Sequence, residues 1–192
     1  FGSWELMPGL AADTVPQRQR MVVVRKQGDP DINRLMADMR GARGMQVVDH
    51  RQASEIVLPK LRDTGVAAFL VDHNSSRKEA VFLPFLEDIA AVNMGPAMLA
   101  LRAKAAVYPV FLARDGQGKR LLYLYPPLHT ENLGGSIAER VRVIAQFYTD
   151  AVADVIKKHP EQWFWMHKRW KTRPPAEAAA AKKKKSKPGK RP

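Results

Sequence analysis

The sequence predicts an α/β fold: a mostly parallel, mixed sheet flanked by helices. Three observations lead there. Met21–Val24 and Val66–Val71 are short apolar runs without polar alternation, as in strands covered on both faces, and Met45–Val48 is a further short strand broken only by Gln46. Segments with helical spacing separate them. Asp115-Gly-Gln-Gly118 is a hairpin signal, which adds an antiparallel edge.

The elements follow in chain order. Asp29-Pro30 reads as an N-cap with proline in the first helical turn, and Ile32, Leu35, Met36 and Met39 continue at helical spacing. Gly41 and Gly44 end that helix. A second helix spans about residues 51–64, carries Ile56, Val57 and Leu61, and stops at Gly65. The strand from Val66 ends at Asp72-His73-Asn74. Ala80–Phe85 is a short extended piece, and Gly95-Pro96 opens a helix reaching about Lys104. Val107–Ala113 reads as one strand, with 120–125 pairing back on it. Ile137, Val141, Ile144, Tyr148, Val152 and Val155 mark a long amphipathic helix.

Composition bounds the function. The 192 residues are 45% hydrophobic and contain no cysteine, which excludes a disulfide scaffold, a thiolate metal site and a cysteine nucleophile. Of the net charge of +13, +11 falls within residues 157–192, leaving a nearly neutral body of +2. The basic pI therefore does not argue for a nucleic-acid-binding fold. The organisation expected is one domain over 1–173 and a disordered Lys-rich tail over 174–192. The longest apolar run, Ala105–Ala113, has nine residues and contains Pro109, well short of the roughly 18 of a membrane span. Phe1 is not a start methionine, so the chain reads as part of a longer protein whose membrane anchor lies upstream.

In an open α/β sheet, ligands gather beyond the carboxyl ends of the strands. Arg25, Asp72 with His73 and Asn74, and Arg114 fall there, either as site residues or as loop caps. Adjacent strand residues point apart, which argues against a direct Asp72–His73 couple. No glycine-rich phosphate loop, HExxH or GxSxG occurs, and the histidines lack metal-ligand spacing. The stretch from His159 to Pro174 interleaves three tryptophans and a phenylalanine with four cations. That pattern suits a membrane interface, single-stranded nucleic acid, or tryptophans packed on the domain with a solvated cationic rim.

This last stretch resembles the terminal signature of the lipid A biosynthesis acyltransferases. Other segments are similar to that family in the same order. Phe1-Gly-Ser-Trp-Glu-Leu6 resembles the end of its H-x4-(D/E) motif, and Arg40-Gly-Ala-Arg-Gly44 its R-x-x-x-G helix end. Gly65–Asn74 resembles its strand ending in D-Q-N, with His73 in place of the usual Gln. Val81–Pro84, Gly95–Ala100 and Val107–Arg114 match further segments, with Leu86-Glu87 replacing the usual Phe-Gly. The Lys-rich tail is outside the pattern.

The resemblance implies a glycerolipid-acyltransferase-like fold, incomplete at its N-terminus, with the motif histidine immediately before Phe1. It implies acyl transfer from acyl carrier protein to a hydroxyl of a lipid A precursor, at the cytoplasmic face of the bacterial inner membrane. Glu5 would orient the histidine and stabilise its protonated form. Arg25, Arg40, Asp72, Asn74 and Arg114 would bind substrate, with no metal and no organic cofactor. Expected partners are acyl carrier protein, the lipid A precursor and an anionic membrane surface, not nucleic acid. The alternatives are another bacterial glycolipid as acceptor or a basic nucleic-acid-binding protein. His50 has Glu55 at the same spacing but lacks the aromatic and glycine context.

Overall fold

The structure, a computed structural model, describes residues 1–14, 19–25, 28–42 and 44–177. A 3-10 turn at Trp4–Leu6 leads into helix α1 (Met7–Thr14), followed by β1 (Arg20–Val24). Helix α2 (Pro30–Gly41) begins where the Asp29 carboxylate accepts from the Asp31 and Ile32 amides at 2.8 and 3.2 Å. That cap satisfies donors the helix cannot pair internally. Strand β2 (Met45–Asp49), helix α3 (Ala53–Arg62) and β3 (Val66–Phe69) complete the first layer. The tight return from α3 uses Gly65, whose amide donates to Lys60 O at 2.7 Å; a Cβ there would lie 2.6 Å from that oxygen.

The three strands form a parallel sheet in the order β2-β1-β3. Met21, Val23 and Val48 pack beneath it on Val57 and Leu58 of α3 and on Leu99. Beyond this point the expected parallel sheet is not found. Strands β4 (Ala80–Phe85) and β5 (Asp88–Asn93) form an antiparallel hairpin. Helix α4 (Gly95–Ala103) follows, then β6 (Ala106–Val107), β7 (Val110–Arg114), β8 (Arg120–Leu124) and β9 (Leu128–His129). β6 pairs with β9 and β7 with β8, both antiparallel. The fold is mixed α/β with several small sheets. Apolar runs look alike in parallel strands and in hairpins buried on both faces, which is why the strand direction was misread. The single strand expected at Val107–Ala113 is split at Tyr108-Pro109, because proline cannot donate to a ladder. β5 was missed as a strand. It follows the two-residue turn Leu86-Glu87, with Leu86 at φ +55°.

Helix α5 (Ile137–Lys158) is the longest element and starts with a reciprocal Ser136–Glu139 capping box. Val141, Ile144 and Tyr148 seal Leu83 and Val92 of the hairpin. Further along, Val152 and Ile156 join Phe85, Ala90 and Trp163, with Phe1 and Trp170 at the margin. Phe1 thus rests against the cluster that holds Trp163 and Trp170. Of the segment expected as a tail, 175–177 begin a helical turn, and 178–192 lie outside the described residues.

Candidate active site

Glu5 sits in the 3-10 turn before α1, and Arg40 in the last turn of α2. The two meet in a fork: Arg40 Nη2 and Nε donate to Glu5 Oε1 and Oε2 at 2.7 and 3.3 Å. Arg40 is nearly buried, its side chain 9% exposed against 38% for Glu5. Its guanidinium also lies over the Trp4 ring, 5.2 Å from the centroid. A carboxylate has about four lone-pair sites, and the fork occupies two. Glu5 is held in one orientation and still has accepting capacity toward solvent.

The residues before Glu5 are fixed by long-range backbone bonds. Gly2 N–H donates to Gln162 O at 3.0 Å and Ser3 N–H to Leu112 O at 2.8 Å. Gly2 has φ +55°, and a Cβ there would stand 2.3 Å from Leu112 O, so only glycine fits. Arg114 donates from Nε to Ser3 Oγ at 3.1 Å, while its backbone pairs with the Gln162 amide at 2.8 and 2.6 Å. Gly2, Ser3, Arg114 and Gln162 line a cleft of about 580 Å³ beside the motif.

Asp72 accepts from the Phe1 nitrogen at 2.9 Å through Oδ2. Arg169, 1% exposed, contributes a second charge to this neighbourhood. Its Nη1 donates to Ala91 O at 2.8 Å and its guanidinium lies 4.8 Å from the Phe85 ring centroid, while Nε has no partner among the described residues. Burial pulls its pKa down to about 10, and the charge of Asp72 acts the other way.

Asn74 is turned toward the chain's end. Its Nδ2 donates to Thr172 Oγ1 at 3.0 Å, and its Oδ1 accepts from Thr172 N–H at 3.0 Å. Its backbone N–H donates to His167 Nε2 at 2.7 Å, which requires the imidazole proton on Nδ1. Arg25, with a side chain 70% exposed, faces solvent 3.8 Å from Glu79.

The structure therefore brings Glu5 and Arg40 together, and sets Asp72 against Phe1. Arg114 borders the motif through Ser3. Asn74 is engaged by Thr172 and His167, and Arg25 stands apart in solvent. Sequence reasoning missed the Glu5–Arg40 fork and buried Arg169. What covers Arg169 is Phe85 and the Ala91 carbonyl, both far away in sequence, so nothing beside Arg169 signals its burial.

The profile of the family described as bacterial lipid A biosynthesis acyltransferase matches residues 1–172. Relatives include the lipid A biosynthesis lauroyltransferase of Escherichia coli K12, 30% identical over 145 residues, which are 74% of this chain and 42% of that protein. The palmitoleoyltransferase of the same organism is 30% identical over 115 residues, 58% of this chain and 35% of its own length. A phosphatidylinositol mannoside acyltransferase of Mycobacterium tuberculosis CDC 1551 is 26% identical over 137 residues, 69% of this chain and 41% of that protein. The chain thus spans about two-fifths of the length of these relatives. With the match running through Glu5, Arg40, Asp72 and the Trp-rich end, the chain belongs to the bacterial lipid A biosynthesis acyltransferase family.

Proposed function

We propose that the protein containing this chain transfers a fatty acyl group from an acyl carrier protein thioester to a sugar hydroxyl of a lipid A precursor, as a late acylation. The observation that carries this reading is the Glu5 carboxylate, fixed by Arg40 at the end of the F-G-S-W-E segment. A histidine bonded to the Phe1 nitrogen completes the motif.

An alcohol attacks a thioester poorly until a base takes its proton, and histidine titrates in the right range. The imidazole accepts the hydroxyl proton as the oxygen bonds to the thioester carbon. The resulting oxyanion needs N–H or cationic partners. Collapse breaks the C–S bond, and the imidazolium returns the proton to the leaving thiolate. Glu5 orients the ring and balances its charge. The chemistry calls for no metal and no organic cofactor. Arg114 supplies a cation for a substrate phosphate, and the site works at the cytoplasmic face of the inner membrane.

The test is acyl transfer by the complete protein, with an acyl carrier protein thioester and a lipid A precursor. Glu5→Gln should lower turnover by about 10²-fold or more, while the weakened fork to Arg40 costs about 1–2 kcal/mol of folding stability, too little to unfold the protein. Near-normal turnover would reduce Glu5 to a helix-end charge. A second acceptor, a phosphatidylinositol mannoside, is favoured by the mycobacterial relative and belongs in the same assay.

A further inference from the structure

Three consecutive large apolar side chains stand out of the surface after the last 3-10 turn: Phe164 at 66%, Trp165 at 54% and Met166 at 83% exposure. Their neighbours do the opposite. Trp163 is 5% and Arg169 1% exposed. Trp163 and Trp170 pack on Phe85 with ring centroids 5.8 Å away. The segment is thus divided, with one set of aromatics forming a base in the core and another held out on top of it.

The tip is built rather than loose. Trp165 stacks edge-on against Trp163, with ring centroids 4.7 Å apart, and its indole N–H donates to Pro160 O at 2.6 Å. Backbone bonds from Trp165 to Trp163 O and from His167 to Phe164 O close the turn. Docking this loop therefore costs little ordering entropy.

We propose that the Phe164–Met166 loop inserts into the headgroup layer of an anionic bilayer. This deepens the membrane placement given above and rests on that reading only for the choice of lipid charge. Lys168 and Lys171 are exposed, directly follow the tip, and make no ion pair among the described residues. The one acid of the segment, Glu161, is engaged by Gln162 Nε2 at 2.9 Å. After Glu177 the sequence adds Lys182–Lys185, Lys187, Lys190 and Arg191 and no acid. Apolar tips followed by lysines match the two layers of a bilayer interface, acyl chain below and phosphate above. The three tips expose roughly 400 Å², about half of what one partner buries in a standard protein interface. A lipid surface needs no such area.

The experiment uses the 192-residue chain without substrate, so that its outcome is independent of acyl transfer, which is assayed in detergent micelles. Binding is measured by co-sedimentation with phosphatidylglycerol-containing vesicles and with pure phosphatidylcholine vesicles. The combined change Phe164→Ser and Met166→Ser should raise the half-saturating lipid concentration at least about tenfold, because two apolar side chains no longer leave water. In a second measurement, brominated lipid should quench Trp fluorescence in the unaltered chain, and Trp165→Phe should remove most of that quenching. Circular dichroism should be unchanged, since the altered side chains are exposed. Three results would overturn the proposal: unchanged half-saturation, equal binding to both vesicle types, or quenching that survives Trp165→Phe.

Discussion

Replacing Asn74 with alanine separates a structural role from a substrate contact. The side chain makes two bonds to Thr172, as donor to Oγ1 at 3.0 Å and acceptor from the amide at 3.0 Å, across 98 residues of sequence. A third, to Ser75 O at 3.2 Å, is local and survives in part in the unfolded chain. Each long-range bond is worth about 1 kcal/mol net, so Asn74→Ala should cost about 2 kcal/mol. For a chain of this size that lowers Tm by roughly 4–8 °C. Asn74→Asp keeps the acceptor and loses the donor, and should cost about half as much. Thermal melts by circular dichroism give the magnitude. Limited trypsin digestion gives the location, because the Lys171–Thr172 bond should become cleavable once the segment lifts. A normal Tm with impaired acyl transfer would refute the clasp and return Asn74 to the substrate.

Arg40→Met removes both bonds to Glu5 and the contact with Trp4. Because Glu5 can rehydrate, the cost read from a denaturant titration should be about 1–2 kcal/mol, below the figure for a fully buried pair. Gly2→Ala forces a Cβ toward Leu112 O at a φ of +55° and should cost at least about 2 kcal/mol by thermal melt; a silent substitution would mean the first residues are not seated there. Acid should loosen the chain's end. The hydrogen bonds from Arg173 at 2.7 and 3.0 Å hold the Asp88 carboxyl below its ordinary 3.8, so this bridge is in place above that value and is lost as pH falls through the depressed pKa. Hydrogen exchange at 170–177 should rise in that window, and Asp88→Asn should produce the same rise at neutral pH.

Local structure was legible wherever the chain announces it itself. Asp29-Pro30 and the Asp115–Gly118 turn each act within a few residues, and α2 and the β7–β8 hairpin appear where they were expected. Pairing direction was legible only where a turn declares it, as at Asp115–Gly118; Ala80–Phe85 is as apolar as the parallel strands, and nothing in its own composition marks it as antiparallel. The same distinction runs through the site. The types and order of Glu5, Arg40 and Asp72 stood in the motifs, whereas Arg40 spending its fork on Glu5 depends on α2 ending beside the first turn. The aromatic segment was ambiguous in sequence because it does both things at once: Trp163 faces inward and Trp165 outward, two residues apart.

The seat of the first residues has a consequence for synthesis. A ribosome delivers Phe1-Gly-Ser-Trp-Glu before anything else in this chain, yet Leu112 and Gln162, whose carbonyls receive Ser3 and Gly2, arrive late and last. Trp163, which closes the cluster against Phe1, comes later still. Glu5 can therefore meet Arg40 early, but the residues leading to it gain their fixed path only when nearly the whole chain has emerged. A chain ended by a premature stop after α5 loses order at its beginning as well as at its end. Translation itself keeps the site unassembled until the aromatic segment has been made.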